Sequence, residues 1–216
     1  MTQTSSISNE TSALKGLRTP KPLLSKSQEN LLSNRQKDAV AGLEELIKDG
    51  YPKFTMSEIA SKLKVSLRTL YEIAPKKDAL LLIAVDRLLF KIGAKAQKAI
   101  IKTDSPITKL QLFLKETNEA TLNNALAFTE DFNEVKGGKE LIDSHENFCV
   151  DICEGFLKDA IKIKEIDIAY PRAMAITLSG FTRERNKRYS KEESLLTPSD
   201  DIKEIWDVIF RGLKKN

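Results

Sequence analysis

The sequence predicts an all-α protein, with a small N-terminal helix-turn-helix unit ahead of a larger helical body. Apolar residues recur at three- and four-residue spacing along most of the 216-residue chain, as they do in helices buried on one face. No useful length of strand-like alternation interrupts them. Between Gly50 and Leu80, two short segments, each opened by a residue suited to an N-cap, stand a tight turn apart, which is the pattern of a helix-turn-helix.

The elements follow in order. Residues 1–30 hold six Ser, four Thr and two Pro without a sustained apolar period, too little apolar surface to offset the entropy of ordering. A flexible arm is expected there. Ser33 is a plausible cap for a helix carrying Ala39, Val40, Leu43, Leu46 and Ile47 on one face and stopping at Gly50. Next come Ser57 to Leu63, Ser66 to Glu72, and a long periodic stretch from Lys76 to about Lys102. Further helices are expected over Ile107 to Phe128, Lys139 to Lys162, Pro171 to Arg185 and Asp201 to Leu213. Pro106 and Pro171 suit first helical turns, and Gly137-Gly138, Asp167 and Lys187 to Ser194 mark connections. The expected division is an arm at 1–30, a helix-turn-helix unit at 31–80 and a body at 81–216.

Composition and charge narrow the function. With two cysteines, no disulfide framework is implied. The longest apolar run, Ala79 to Val85, is far short of the roughly 20 residues that cross a bilayer, and Met1 to Glu10 lacks the pattern of a secretory signal. A cytoplasmic protein without a membrane partner is expected. The net charge of +4 is uneven: residues 1–30 carry +2, residues 31–102 carry +6 and residues 103–216 carry −4. A basic N-terminal third before an acidic remainder points to a polyanion-binding module joined to something that does not bind polyanions.

In the motif itself, Thr55 caps a helix whose inward residues are Ile59, Ala60 and Leu63, and Ser66 caps a second that buries Leu70. The small Ala60 allows a close crossing. With Leu70 inward, Leu67, Arg68 and Tyr71 fall on faces left free, at the tip of a short helix suited to the major groove. Lys76 and Lys77 open the following helix, where ammonium and backbone N–H groups can clasp one phosphate. Lys15, Arg18, Lys21 and Lys26 are spaced through the arm as minor-groove contacts require; a solubilising tail accounts for them equally well.

This segment resembles the TetR family of bacterial transcriptional regulators. The resemblance rests on Gly50, Thr55, Ile59-Ala60, Val65-Ser66, Thr69-Leu70-Tyr71 and Lys77-Asp78-Ala79-Leu80, running without a gap. The chain departs from the family pattern at Lys64, where a turn glycine is usual, at Ala74, usually aromatic, and at Arg68, commonly small. The resemblance implies phosphate-positioning roles for Thr55, Tyr71 and Lys77, and base-edge contacts for Ser66, Leu67, Arg68 and Thr69. It also implies a homodimer formed through the last two helices and a small-molecule inducer pocket in the body.

Two segments match the dimerising role in position and character. Ile202, Ile205, Trp206, Ile209, Phe210 and Leu213 form a wide terminal stripe, and Ala173, Ile176 and Gly180 form a second face with small residues. An intramolecular core is the alternative. For the pocket, Phe113, Phe128, Phe132, Phe148 and Phe156 are candidates, although plain core is the first reading of each taken singly. His145, Cys149 and Cys153 stand at i, i+4 and i+8. Neighbours in this set are within one turn, but the outer two are about 12 Å apart at the helical rise and cannot share an ion. Inert buried thiols, a two-ligand share of a zinc or copper site, and a redox-sensing thiol are the three readings. No metal or cofactor is assigned.

An enzyme is not expected: there is no phosphate-cradling glycine loop, no HExxH, and one His from which to build a base–nucleophile pair. The predicted function is a transcriptional regulator, a repressor that binds a pseudo-palindromic operator in double-stranded DNA as a homodimer and leaves it on binding a small molecule. The alternatives are a ligand-independent architectural DNA-binding protein and a helical adaptor that binds protein.

Overall fold

The computed structural model describes residues 16–48, 54–101, 103–122, 130–189 and 200–213. Its regular elements there are ten helices: α1 (Lys26–Leu31), α2 (Asn34–Lys48), α3 (Met56–Lys62), α4 (Leu67–Ile73), α5 (Lys77–Ile100), α6 (Pro106–Leu122), α7 (Glu130–Asn133), α8 (Gly138–Lys162), α9 (Pro171–Tyr189) and α10 (Asp200–Leu213). The all-α expectation holds. No helix of the described residues is long and apolar enough to cross a membrane.

The described residues form two compact units, one from residues 21–92 and 130–144, the other from residues 16–20, 93–122 and 145–213. The first closes around Val40, Leu43, Ile47, Ile59, Leu70, Leu81, Ala84, Val85 and Leu88, with Phe132 and Val135 joining from beyond α6. A cut at residue 80 would expose this core: the apolar run from Ala79 to Val85 packs on α2 to α4, so the unit takes in the first part of α5. The second unit closes around Leu110, Phe113, Phe156, Leu157, Leu178, Trp206 and Phe210. Phe113 and Phe156 meet edge to face with ring centroids 6.3 Å apart, a geometry favoured by the ring quadrupoles.

Part of the segment expected as an arm is ordered. Ser25 caps α1 in a reciprocal box with Gln28. The Leu23 N–H donates to the buried Asp86 carboxylate at 2.8 Å, Leu24 packs on the first core, and Glu29 pairs with Arg87. These contacts join residues 23–29 to α5 and offset the entropy of ordering them. Arg18, Lys21 and Lys26 are exposed, and Lys15 lies outside the described residues.

Ser33 caps α2 as expected, its Oγ accepting from the Gln36 N–H at 3.3 Å. The apolar stripe of α2 also buries an acid. Glu44 is 2% exposed and accepts from Arg87 Nε at 2.7 Å and from Lys91. Arg87 thereby links α1, α2 and α5 through Glu29 and Glu44.

Candidate nucleic-acid interface

Local hydrogen bonding builds α3, the turn and α4. Thr55 and Glu58 form a capping box at the start of α3: the Thr55 N–H donates to Glu58 Oε2 at 2.7 Å and the Glu58 N–H donates to Thr55 Oγ1 at 3.3 Å. The Thr55 backbone N–H, then its hydroxyl, hold the Glu58 carboxyl below the usual carboxylate range. At the other end of α3 the Lys64 N–H reaches Ser61 O at 3.1 Å and the Val65 N–H reaches Ala60 O at 3.0 Å. That pairing is a Schellman ending, which sets Lys64 in the left-handed region at φ 53°. Gly42 on α2 allows a close approach here, since a Cβ at that position would stand 2.9 Å from Leu63 Cδ2.

The turn delivers Ser66, whose Oγ accepts from the Thr69 N–H at 3.0 Å and caps α4. Leu70 is buried in the first core and anchors α4, while Leu67, Arg68, Tyr71 and Glu72 are exposed. Thr69 does not join that face: it is 8% exposed, and its hydroxyl lies 2.7 Å from Ser66 Oγ. The Thr69 hydroxyl folds back over Ser66 beside the cap, and the register that buries Leu70 turns its neighbour inward as well. The outward face is therefore Leu67, Arg68 and Tyr71, with Ser66 exposed at the tip. Thr55 is exposed at the tip of α3, Lys76 is exposed before α5, and Lys77, partly buried, is the first residue of α5.

Glu72 and Gln36 belong to the same surface, and sequence spacing did not single them out as site residues. Glu72 accepts from Arg68 Nε at 2.9 Å through Oε1 and from Gln36 Nε2 at 3.2 Å through Oε2. An i, i+4 spacing was the available signal for Arg68 with Glu72; none exists for a pair 36 residues apart.

In the second unit the terminal stripe divides. Ile202, Trp206, Phe210 and Leu213 are buried in the chain's own core, and Ile209 packs partly against it. They share that core with residues of α6 and α8, which is the intramolecular alternative to a dimer face. What α9 and α10 leave outward is Ala173, Ile176 at 52%, Ile205 at 38% and Val208 at 57% exposure, with Gly180 partly exposed.

The candidate pocket residues do not form one set. Phe113 and Phe156 are core, Phe148 packs partly against them, and Phe132 belongs to the core of the other unit. Phe128 lies outside the described residues. His145 and Cys153 are buried and Cys149 is partly exposed. Burial, then the charge of Glu146, pushes the Cys149 thiol up to about 12, and burial pushes Cys153 up further. No group of three or more His, Cys, Asp or Glu among the described residues is placed to hold a metal ion.

Residues 40–84 match the sequence profile of the bacterial regulatory proteins of the tetR family. No curated protein matches the chain. Among solved structures, a putative fatty acid metabolism regulator of Clostridium perfringens is 23% identical, with a TM-score of 0.64, over 83% of this chain and all of that one. A TetR-family transcriptional regulator of Pectobacterium atrosepticum is 16% identical, with a TM-score of 0.71, over 89% of this chain and 98% of that one. The transcriptional regulator FadR of Bacillus subtilis, solved in complex with stearoyl-CoA, is 16% identical, with a TM-score of 0.70, over 82% of this chain and 98% of that one.

Proposed function

We propose that this chain is a DNA-binding transcriptional regulator of the TetR type, acting in the cytoplasm as a homodimeric repressor that a small molecule releases from a pseudo-palindromic operator. Regulators of this family are generally non-enzymatic. The observation that carries the reading is α4 itself: a short, doubly capped helix, anchored by Leu70, whose outward residues are Leu67, Arg68 and Tyr71.

In this reading Arg68 sets its guanidinium against guanine and Leu67 sets its methyls against thymine. Ser66, exposed at the tip of α4, faces base edges beside them, while Thr55, Tyr71, Lys76 and Lys77 position the helix on phosphates and sugars, which fixes register without reading sequence. Two copies of α4 are needed for a two-fold symmetric site. Ala173, Ile176, Gly180, Ile205 and Val208 supply the self-association surface, because they form the outward apolar part of α9 and α10. Release requires a ligand that prefers the non-binding conformation, since equal affinity for both states shifts nothing.

The test begins with selection of duplexes from random DNA by the full chain. A two-fold symmetric consensus is expected, and absence of any consensus overturns the regulator reading. Stearoyl-CoA, the ligand in the Bacillus subtilis FadR structure, is the first probe added to the formed complex. Trp206, the chain's single tryptophan, is buried in the body core and reports binding there by its fluorescence. Release of DNA together with a change at Trp206 supports an acyl-type inducer; neither change removes that ligand class.

A further inference from the structure

Glu72 is out of place for a helix that must approach a polyanion. A carboxylate on the reading helix opposes every phosphate nearby. Helix stability does not account for it. Glu72 stands in the last turn of α4, where the helix dipole disfavours an acid, and it follows Arg68 in the weaker of the two i, i+4 orders. As exposed ion pairs go, it adds little to the fold.

Its hydrogen bonds are more informative. Oε1 accepts from Arg68 Nε at 2.9 Å and Oε2 accepts from Gln36 Nε2 at 3.2 Å. Gln36 Oε1 accepts in turn from the Ser33 backbone N–H at 2.8 Å. The direction of this relay is fixed: the carboxylate only accepts and the Ser33 N–H only donates, so a reversed Gln36 amide would set oxygen against oxygen and N–H against N–H. Arg68, with 88% of its side chain exposed, is thus tied through Nε to the first turn of α2. Its two Nη groups face away from that bond as the fork a guanine edge accepts.

We infer that Glu72, held by Gln36, is a positioning residue that aims the Arg68 fork at one base and lowers affinity for DNA in general. This rests on the reading of Arg68 as a base contact. Glu72 touches no base itself; it acts through Arg68.

The test uses the full chain as wild type, Arg68→Ala, Glu72→Gln and Gln36→Leu. Each is taken through selection from random DNA, and Kd is measured on the selected site, on that site with the Arg68-read pair changed, and on unrelated duplex. In Glu72→Gln the new amide N–H₂ must face either Arg68 or Gln36, both donors, so one link of the relay is lost. A bidentate arginine supplies roughly 5- to 150-fold discrimination, and Glu72→Gln is expected to reduce it about three- to tenfold. Unrelated DNA should bind about two- to fivefold tighter, because an acid near the phosphates has gone. Gln36→Leu keeps that acid, so discrimination should fall without the gain on unrelated DNA. If Arg68→Ala loses discrimination while Glu72→Gln and Gln36→Leu retain it, the positioning role is overturned and base reading stands. If Arg68→Ala selects the wild-type motif, both are overturned.

Discussion

Lys64 carries a conformational cost that one substitution should recover. It occupies the left-handed position of the α3 ending at φ 53°, with its own N–H on Ser61 O and the Val65 N–H on Ala60 O. An L side chain in that conformation costs about 1–2 kcal/mol from the approach of Cβ to the backbone. Glycine removes the cost but adds about 0.5–1 kcal/mol of backbone entropy in the unfolded chain. Lys64→Gly should therefore stabilise the DNA-reading unit by about 0.5–1 kcal/mol, a rise of about 1–4 °C for a chain of this length. Lys64→Ala is the control, because it removes the same ammonium and retains Cβ. Calorimetry on both variants isolates the backbone contribution as their difference. A Gly variant that melts no higher than the Ala variant would refute the reasoning.

Other perturbations test other parts of the structure. Glu44→Gln strips the buried carboxylate from Arg87 and Lys91; both cations keep some access to water, so the loss should be about 1–3 kcal/mol instead of the full cost of an uncompensated buried charge, and an unchanged melting temperature would contradict it. Ile176→Glu with Val208→Glu places charges on the outward face of α9 and α10 and should give monomer by sedimentation with the fold retained by circular dichroism; a dimer that survives places self-association elsewhere. Lys77→Ala should weaken specific and unrelated DNA alike and reduce the salt slope by about one, so loss confined to one base pair would count against a phosphate role. With its pKa depressed, Glu58 stabilises the α3 cap fully above the ordinary carboxylate range and loses this as pH falls through the lowered folded value; a Glu58 titration by NMR that matches an unfolded peptide would remove the effect. The raised Cys149 and Cys153 thiols should resist a thiol-specific reagent at pH 8 until the protein unfolds, and rapid native labelling would revive a redox role.

How far the sequence was legible depended on whether local rules decided the outcome. Thr55 and Ser66 were readable as caps because a cap bonds a backbone N–H two or three residues away, and Leu70 was readable as the anchor because helical spacing puts it opposite the exposed positions. Thr69 owed its base-edge role to the family resemblance alone, and the structure turns it inward instead, its hydroxyl 2.7 Å from Ser66 Oγ. Nothing in the local sequence marks Glu44, which follows Leu43 in the apolar stripe of α2, as a buried acid. Its partners stand 43 and 47 residues away, and no period in the sequence encodes that distance.

Periodicity records which side of a helix avoids water, and it is silent on what excludes the water. The stripe on α10 reads from sequence as a dimer interface or, alternatively, an intramolecular core; Ile202, Trp206, Phe210 and Leu213 lie in the chain's own core, leaving Ile205 and Val208 at its outer edge. Phe132 makes the same point at longer range. Its aromatic character fits a pocket beside Phe113 and Phe156, but the chain carries it into the core that anchors α4. Residues that act through backbone caps were therefore fixed by neighbours in sequence, while those that divide the body into core, pocket and interface were fixed by which surfaces the helices had already covered.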